Sequence, residues 1–245
     1  MKTNYLILFL VLPTLIFGQE TIQITRKLSN QNLMEICNVL ESDRSTLHGS
    51  YKKVSLKGTV FSEGFYKYGA KDSLWKDYDW NGKLYRTGNY LSDKKIGLWQ
   101  FFDEKGNAEL IYNFSTNELV SFILDDKSKN KKYNITTAEG NKLDKLDRPP
   151  LYLGGNFGIG VLIGLNTKYP IIAAENGVSG TVNVAFTIDS LGQTSDYIVT
   201  KKIGSGCDEE ALRVVKMLSE GWLPGIYKGQ AVKVQYFIPV NFILN

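Results

Sequence analysis

Aromatic and polar residues alternate along the middle of the chain. In GFYKYGAKDSLWKDYDWNGKL, which begins at Gly64, the aromatic residues recur at a period of two, as in a β-strand with one buried face. The same pattern returns 24 residues later in GNYLSDKKIGLWQFFDEKGNA, which begins at Gly88. Each copy places an Asn-Gly or Lys-Gly pair where a tight turn is needed. Residues 48–124 are therefore expected to form stacked β-hairpins, with weaker copies around Gly49 and Tyr112.

The segment before the repeats has a different spacing. Within Asn30–Glu41 the apolar residues follow one another at intervals of three and four, which predicts a short helix that packs against its surroundings. These residues are Leu33, Ile36, Cys37 and Leu40. We thus expect residues 19–47 to form a strand and helix segment that leads into the repeats.

Residues 125–149 carry many charges and few apolar side chains. Seven basic and five acidic residues lie between Asp125 and Arg148. So little apolar surface cannot offset the entropy that is lost when a chain becomes ordered. The composition predicts a solvated linker between two folded parts.

The apolar pattern of a folded domain resumes in residues 150–245. Phe157–Asn166 is apolar over the length of a short helix, and the proline of Tyr169-Pro170 enforces a break after it. Alternating residues around the turn Asp189–Gly192 then predict a β-hairpin. Because a helix and a long final strand follow, the domain is expected to be α+β.

The stretch GSGCDEEALRVV, from Gly204 to Val215, has three interpretations: a phosphate loop, a nucleophilic cysteine or the start of a helix. Ser205 and Asp208 have the spacing of a capping box, and three successive acidic residues suit the positive end of a helix dipole. The same acidic residues would repel a phosphate and disfavour the thiolate of Cys207. The pattern therefore favours the start of a helix.

The end of the chain, GQAVKVQYFIPVNFILN, predicts one long strand, because every second residue from Val232 to Phe242 is apolar. Pro239 interrupts this strand. Since proline is tolerated mainly in edge strands and at bulges, we expect the strand at an edge of its sheet, with amides and carbonyls left unpaired.

The first 18 residues indicate export. A lysine is followed by the almost unbroken apolar run Tyr5–Phe17, and Gly18 offers a small residue before the polar chain begins. These 13 residues fall short of the roughly 20 that a spanning helix needs, so residues 1–18 are predicted to be a secretory signal peptide. An uncleaved short anchor is the alternative. The net charge is +4, without a basic stripe that would indicate nucleic acid.

Catalytic and metal-ligating residues are scarce. The chain has a single histidine, His48, and two cysteines, Cys37 and Cys207, which lie in different predicted domains. No Cys-His pair and no metal-ligand spacing is evident, so we expect no catalytic residue, no metal, no cofactor and no small-molecule substrate. Export permits a disulfide between the two cysteines, but nothing else indicates a bridged framework.

The motifs of the two predicted domains resemble two known families. The G-x-Y and G-x-W hairpins of residues 48–124 resemble bacterial MORN-type repeats, which implies an architectural role and protein contact. Residues 150–245 resemble the C-terminal domain of the energy transducer TonB, through PPLYLGGN, YP, the D-S-L-G turn, GCDEEALR, WLPG, GQAVKV and PVNF in that order. This second resemblance implies two helices against a three-stranded antiparallel sheet.

In the TonB family this domain captures the TonB box of outer-membrane receptors by adding it as a strand beside the last strand. The resemblance implies the same edge here, together with the YP segment ahead of the first strand. The implied partner-binding residues are Lys233, Val234, Gln235, Tyr236, Phe237, Tyr169 and Pro170. Unlike a full transducer, the chain has a predicted signal peptide, repeats and a charged linker in place of an anchor and a proline-rich spacer.

Together with the predicted signal peptide, the resemblance implies a non-enzymatic periplasmic protein that binds an extended peptide of an outer-membrane TonB-dependent receptor or of another envelope partner. Association with the outer or the inner membrane stays open. The alternative is a structural scaffold, or a homodimer whose terminal strands pair with each other. An enzyme would need a cluster of convergent polar groups that one histidine does not supply.

Overall fold

The computed structural model describes residues 20–28, 32–124 and 126–244. The predicted signal peptide, residues 1–18, lies outside the described residues. The first part of the chain folds into nine antiparallel strands, each hydrogen-bonded to the next in sequence order. The strands are β1 (Thr21–Lys27), β2 (Leu33–Leu40), β3 (Leu47–Ser55), β4 (Val60–Lys67), β5 (Ala70–Tyr78), β6 (Leu84–Leu91), β7 (Lys94–Phe102), β8 (Ala108–Asn113) and β9 (Glu118–Phe122).

Each copy of the repeat places a tryptophan against a glycine. Trp75 lies over Gly64 and Trp99 lies over Gly88, so closely that a Cβ atom on either glycine would overlap the ring. In both copies the indole N–H donates to the carbonyl of the residue after the glycine, at 3.1 Å. These equivalent contacts and the strand pairing confirm the predicted hairpins. The assignment to MORN-type repeats stays a prediction.

The helix predicted for Asn30–Glu41 is wrong, because Leu33–Leu40 forms strand β2. This strand pairs with β1 on one side and with β3 on the other. Cys37 and Val39 share one face and are fully buried, while the residues around them point to the other face. A strand with apolar side chains on both faces has no strict alternation, so its sequence also matches the spacing of a helix.

The rest of the chain is α+β. Six of its strands form one sheet, and two short strands pair separately. The elements are α1 (Asp126–Asn130), β10 (Lys132–Thr137), β11 (Gly140–Lys145), β12 (Leu151–Tyr152), α2 (Asn156–Asn166), α3 (Ile171–Glu175), β13 (Gly180–Ile188), β14 (Thr194–Lys201), α4 (Cys207–Lys216), β15 (Trp222–Leu223), β16 (Gly225–Tyr227) and β17 (Gln230–Phe242). The sheet order is β11-β10-β17-β13-β14, with β16 also beside β17, so the sheet is wider than the three strands that the family resemblance implies.

Helix α4 packs on the six-stranded sheet and begins at Cys207. The capping box predicted for Ser205 and Asp208 does not form, because no side-chain hydrogen bond caps the helix. The N-cap residue is Gly206, while the Asp208 carboxylate accepts hydrogen bonds from the backbone N–H groups of Ile203 and Gly204. The buried side of α4 joins a main core of side chains from β13 and β17, namely Val182, Val184, Phe186, Ile188, Ile238, Val240 and Phe242.

The predicted linker, residues 125–149, contains the hairpin of β10 and β11. Tyr133 and Ile135 share one face of β10 and are buried, although their neighbours are polar. They lie in a small core with Val232 and Val234 of β17. The expectation of a solvated linker is wrong for this stretch, because a strand with one buried face needs only every second residue to be apolar.

Helix α2 and strand β12 join the repeat sheet to the C-terminal part. The Phe157 N–H, at the start of α2, donates to the Glu109 carboxylate of β8 at 3.2 Å. Leu151 of β12 is buried in one cluster with Phe101 of β7. The two parts therefore share a buried interface. Within residues 20–28, 32–124 and 126–244, none of the helices has the length and apolar surface that a membrane span requires.

Candidate partner-binding edge

Strand β17 is the strand for which the sequence predicts partner binding. On one side it pairs with β13 along nine residues, 234–242. On the other side β10 pairs with residues 233–235. The prediction of an unpaired edge is therefore wrong at Lys233, Val234 and Gln235, because the chain's own backbone completes the ladder there.

Side chains reinforce the pairing between β10 and β17. The Asn134 amide donates to the Gln235 side-chain carbonyl at 2.9 Å. Next to this contact Ile135 is 1% exposed and Val234 is fully buried. This half of the edge is thus covered by a strand that has its own apolar contacts, rather than by a loosely placed loop.

The other half of the edge is open. Beyond Gln235, no strand in the described part of the chain pairs with β17 on the side away from β13. The Asn183 carbonyl points to β14, where it accepts a hydrogen bond from the Thr200 hydroxyl. Its cross-strand partner Pro239 therefore turns its backbone groups away from β13, as do Phe237 and Asn241 two residues to either side. We call Phe237, Pro239 and Asn241 the open row.

The open row presents fewer donors than acceptors. Phe237 and Asn241 each carry an N–H and a carbonyl, whereas Pro239 carries only a carbonyl. All three side chains are exposed, and Phe237 is 39% accessible. The row spans five residues of β17, which is the length of a short partner strand.

The remaining predicted residues lie near the ends of the open row. Tyr236 is partly buried, with its ring centroid 5.0 Å from that of Trp222 in the main core. The Tyr169 ring centroid lies 5.7 Å from that of Phe242, and Pro170 is the N-cap residue of α3. The structure therefore brings the YP segment to the C-terminal end of β17, away from the residues that β10 covers.

The residues considered for catalysis lie in separate parts of the molecule. Cys207 is fully buried in the main core, and burial, together with the nearby Asp208 charge, raises the pKa of its thiol. Cys37 is buried in the repeat sheet, and both cysteines are free. His48 Nδ1 accepts a hydrogen bond from the Tyr68 backbone N–H at 3.2 Å. Among the described residues, no group of three or more His, Cys, Asp or Glu side chains could hold a metal ion.

Sequence reasoning missed β10 as part of this edge. A signal for it exists in KYNITTAEGNKLDK, where Tyr133 and Ile135 alternate with polar residues and Gly140 follows at the turn. The φ angle of Gly140 is 115°, which glycine adopts readily. This alternation is short, and the many charged residues around it are typical of a solvated linker.

Comparison with known proteins finds a family that is similar to the region around the open row. Residues 166–244 match the family model described as Gram-negative bacterial TonB protein C-terminal, a range that contains β13, β14, α4 and β17 but not β10. The NMR solution structure of the Helicobacter pylori TonB C-terminal domain is 25% identical over 36% of this chain and 79% of that one, with a TM-score of 0.27. The comparison with curated proteins gave no match. Residues 166–244, about a third of this chain, are therefore similar to the TonB C-terminal family.

Proposed function

We propose that this chain is a non-enzymatic envelope protein that binds an extended peptide of another envelope protein by β-strand addition. The observation that carries the proposal is the open row of β17, which lies within the range that matches the TonB C-terminal family. In strand addition, main-chain hydrogen bonds provide affinity and alternate side chains provide specificity.

The geometry of the open row supports a short partner strand. A strand laid beside it finds donors and acceptors at Phe237 and Asn241 and an acceptor at Pro239. The exposed Phe237 ring can pack against a cross-strand side chain of the partner. At one end of the row β10 already pairs with Gln235, and at the other end lie Tyr169 and the strand terminus.

The proposed partner is an outer-membrane TonB-dependent receptor, or another envelope protein with a segment like a TonB box, and the proposed compartment is the periplasm. A homodimer is the second candidate. Exposed apolar residues that follow the row favour it, since Ile243 is 71% exposed and Leu244 is 40% exposed. Pro239 disfavours it, because two copies of the row would bring together two strands that each lack a donor.

The test is an NMR titration of the ¹⁵N-labelled full chain with a synthetic TonB-box peptide. We expect shifts and slower hydrogen exchange at the amides of Phe237 and Asn241. The variant Asn241→Pro removes an outward N–H and should weaken binding by about tenfold, whereas Asn241→Ala keeps that N–H and should weaken it less.

The control for this titration is Ile198→Ala, at a half-exposed position of β14 outside the row. It should bind as the unmodified chain does. Shifts confined to β14 or to the repeat sheet would count against the proposal. Amides of the row that are protected without peptide, in a chain that sediments as a dimer, would favour the second candidate instead.

A further inference from the structure

The hairpin of β10 and β11 occupies part of the edge that a partner strand would use. We infer that this hairpin is a built-in competitor of the partner strand, an inference that rests on the proposed function. While the hairpin is docked, the partner is confined to the open row. When it undocks, β17 is accessible from Lys233 onward, and a longer partner strand can pair.

The contact between the hairpin and β17 is short. β10 pairs with three residues of β17, whereas β13 pairs with nine residues on the opposite side. Local opening is easiest for segments that have few buried contacts and exposed hydrogen bonds. The hairpin can therefore open while the ladder between β13 and β17 stays closed.

A separate small core holds the hairpin in place. It consists of Tyr133 and Ile135 from β10 and Val232 and Val234 from β17, with Leu146 packed against them. The buried members of the main core, beneath α4, are different residues. Tyr236 packs against both cores. Undocking thus breaks up the small core, including its contact with Tyr236, while the buried residues of the main core are not part of the broken contact.

Polar contacts also join β11 to Tyr227 of β16, and we call these contacts the latch. The Tyr227 hydroxyl donates to the Asp144 carboxylate at 2.8 Å, and the Lys142 ammonium lies 4.3 Å from the centroid of the Tyr227 ring. None of these three residues is fully buried, so water competes for each contact. The latch is consistent with a docked state that opens reversibly.

A partner strand and β10 use the same backbone groups. Lys233 and Gln235 point their N–H and carbonyl groups to the side of the open row, where β10 binds them. Pairing by β10 and pairing by a partner therefore exclude each other at these two residues. The apparent affinity for a long strand is the intrinsic affinity multiplied by the fraction of molecules in which the hairpin is undocked. A larger undocked fraction therefore gives tighter binding.

Hydrogen exchange tests this opening without a partner. In the full chain, the amides of Lys233 and Gln235 should exchange at least about 100-fold faster than those of Val234 and Tyr236, which face β13. Equal protection of the two sets would mean that the hairpin opens only with the whole sheet, and it would overturn the inference.

A variant pair tests the competition. Ile135→Asp places a charge in the small core and should undock the hairpin. A nine-residue TonB-box peptide should then bind at least about tenfold more tightly, with new shifts at Lys233 and Gln235. The matched control is Leu143→Asp, which adds the same charge to the same hairpin at a position that is 61% exposed, and it should bind as the unmodified chain does.

The outcomes separate the two proposals. Tighter binding by Ile135→Asp than by the control, with shifts at Lys233 and Gln235, supports the inference. Equal binding by all three proteins overturns it and leaves the proposed function in place, whereas no binding by any of them overturns both. Self-association of Ile135→Asp instead of peptide binding assigns the uncovered edge to a second copy and contradicts a competitor of a partner strand.

Discussion

The repeat sheet and the C-terminal sheet use the same turn chemistry but bury different side chains. In both, an aspartate that begins the turn accepts hydrogen bonds from the backbone N–H groups two and four residues later, at Asp79, Asp103 and Asp189. The repeat sheet buries aromatic rings and an ion pair, whereas the C-terminal sheet buries mainly aliphatic chains and leaves half of one strand edge open. The turns are therefore alike in the two sheets, and the sheets differ in their buried side chains and in the open edge. The proposed binding depends on that edge, which the shared turn motif does not predict.

Rings in the repeat sheet form a row across the strands. Neighbouring ring centroids are 5.0 to 6.0 Å apart and meet edge to face, in the order Tyr66, Trp75, Tyr90, Trp99 and Phe114. Each repeat adds one lysine to this row, and the two lysines lie 24 residues apart: Lys71 over Trp75 and Lys95 over Trp99. Because each repeat packs on the next, we expect the repeat sheet to act as a rigid scaffold whose strands do not rearrange.

The ion pairs of the two sheets differ most in burial. Arg86 and Asp77 are 2.7 Å apart in the repeat sheet, where Asp77 is 8% exposed. Burial opposes the ionisation of Asp77, but the Arg86 charge and a hydrogen bond from Ser62 outweigh it and lower the pKa. Lys233 and Asp196 of the C-terminal sheet are 3.4 Å apart and exposed.

This contrast gives the largest predicted effect. Arg86→Met should lower the free energy of unfolding by about 3–5 kcal/mol, because it leaves the Asp77 charge buried without its partner. Lys233→Met should change that free energy by less than about 1 kcal/mol. Urea unfolding of both variants measures the difference. Adding Asp77→Leu to Arg86→Met should restore most of the loss, and a double variant as unstable as the single one would contradict this account.

A smaller effect is predicted for the contact between glycine and tryptophan. Gly88→Ala should cost about 1–3 kcal/mol, because the added Cβ overlaps the fully buried Trp99 ring and the core must shift. Gly64→Ala should cost a similar amount, since its Cβ overlaps Trp75. Thermal unfolding followed by circular dichroism measures both.

The control for these glycine variants is Gly160→Ala in α2. No atom outside its own helix lies within 4 Å of the added Cβ, and alanine favours a helix over glycine by about 1 kcal/mol. This variant should therefore be more stable than the unmodified chain. A neutral Gly88→Ala would show that the ring does not need the space above the glycine.

Much of the fold could be predicted from the sequence where a pattern recurs or lasts. The hairpins of the repeat were predictable because Gly64 and Gly88 head two copies of the same alternation. Strand β17 was predictable because apolar and polar residues alternate from Val232 to Phe242, and Pro239 indicated an edge, which is open beyond Gln235. In both cases the local alternation of apolar and polar residues matches the face of the strand that is buried in the fold.

The rest depended on contacts that no local pattern contains. The segment around Cys37 carries apolar side chains on both faces, so its spacing matched a helix as well as a strand. The pairing of Asn134 with Gln235 joins residues 101 positions apart, and it decides which half of β17 is open. Pro239 therefore predicted an edge but not which residues of that edge remain free.

The smallest predicted effect concerns Lys95, which lies among the aromatic rings of the repeat sheet. Burial, with a contribution from the Arg86 charge, lowers the pKa of Lys95 to about 8. The unfolded chain keeps a lysine pKa near its ordinary 10.5 and so binds more protons between these two values. Stability should therefore rise with pH from about 8 towards 10.

The variant Lys95→Met removes this dependence while keeping an apolar side chain against Trp99. The difference in unfolding free energy between this variant and the unmodified chain should shift in favour of the unmodified chain as pH rises from 7 to 10, because the cost of the buried charge disappears. Urea unfolding at pH 7, 8.5 and 10 measures this shift, and Lys94→Met, at an exposed neighbouring position, controls for the loss of one positive charge. A difference that stays constant over this range would mean that the rings, through cation–π attraction, hold the ammonium charged as well as water does.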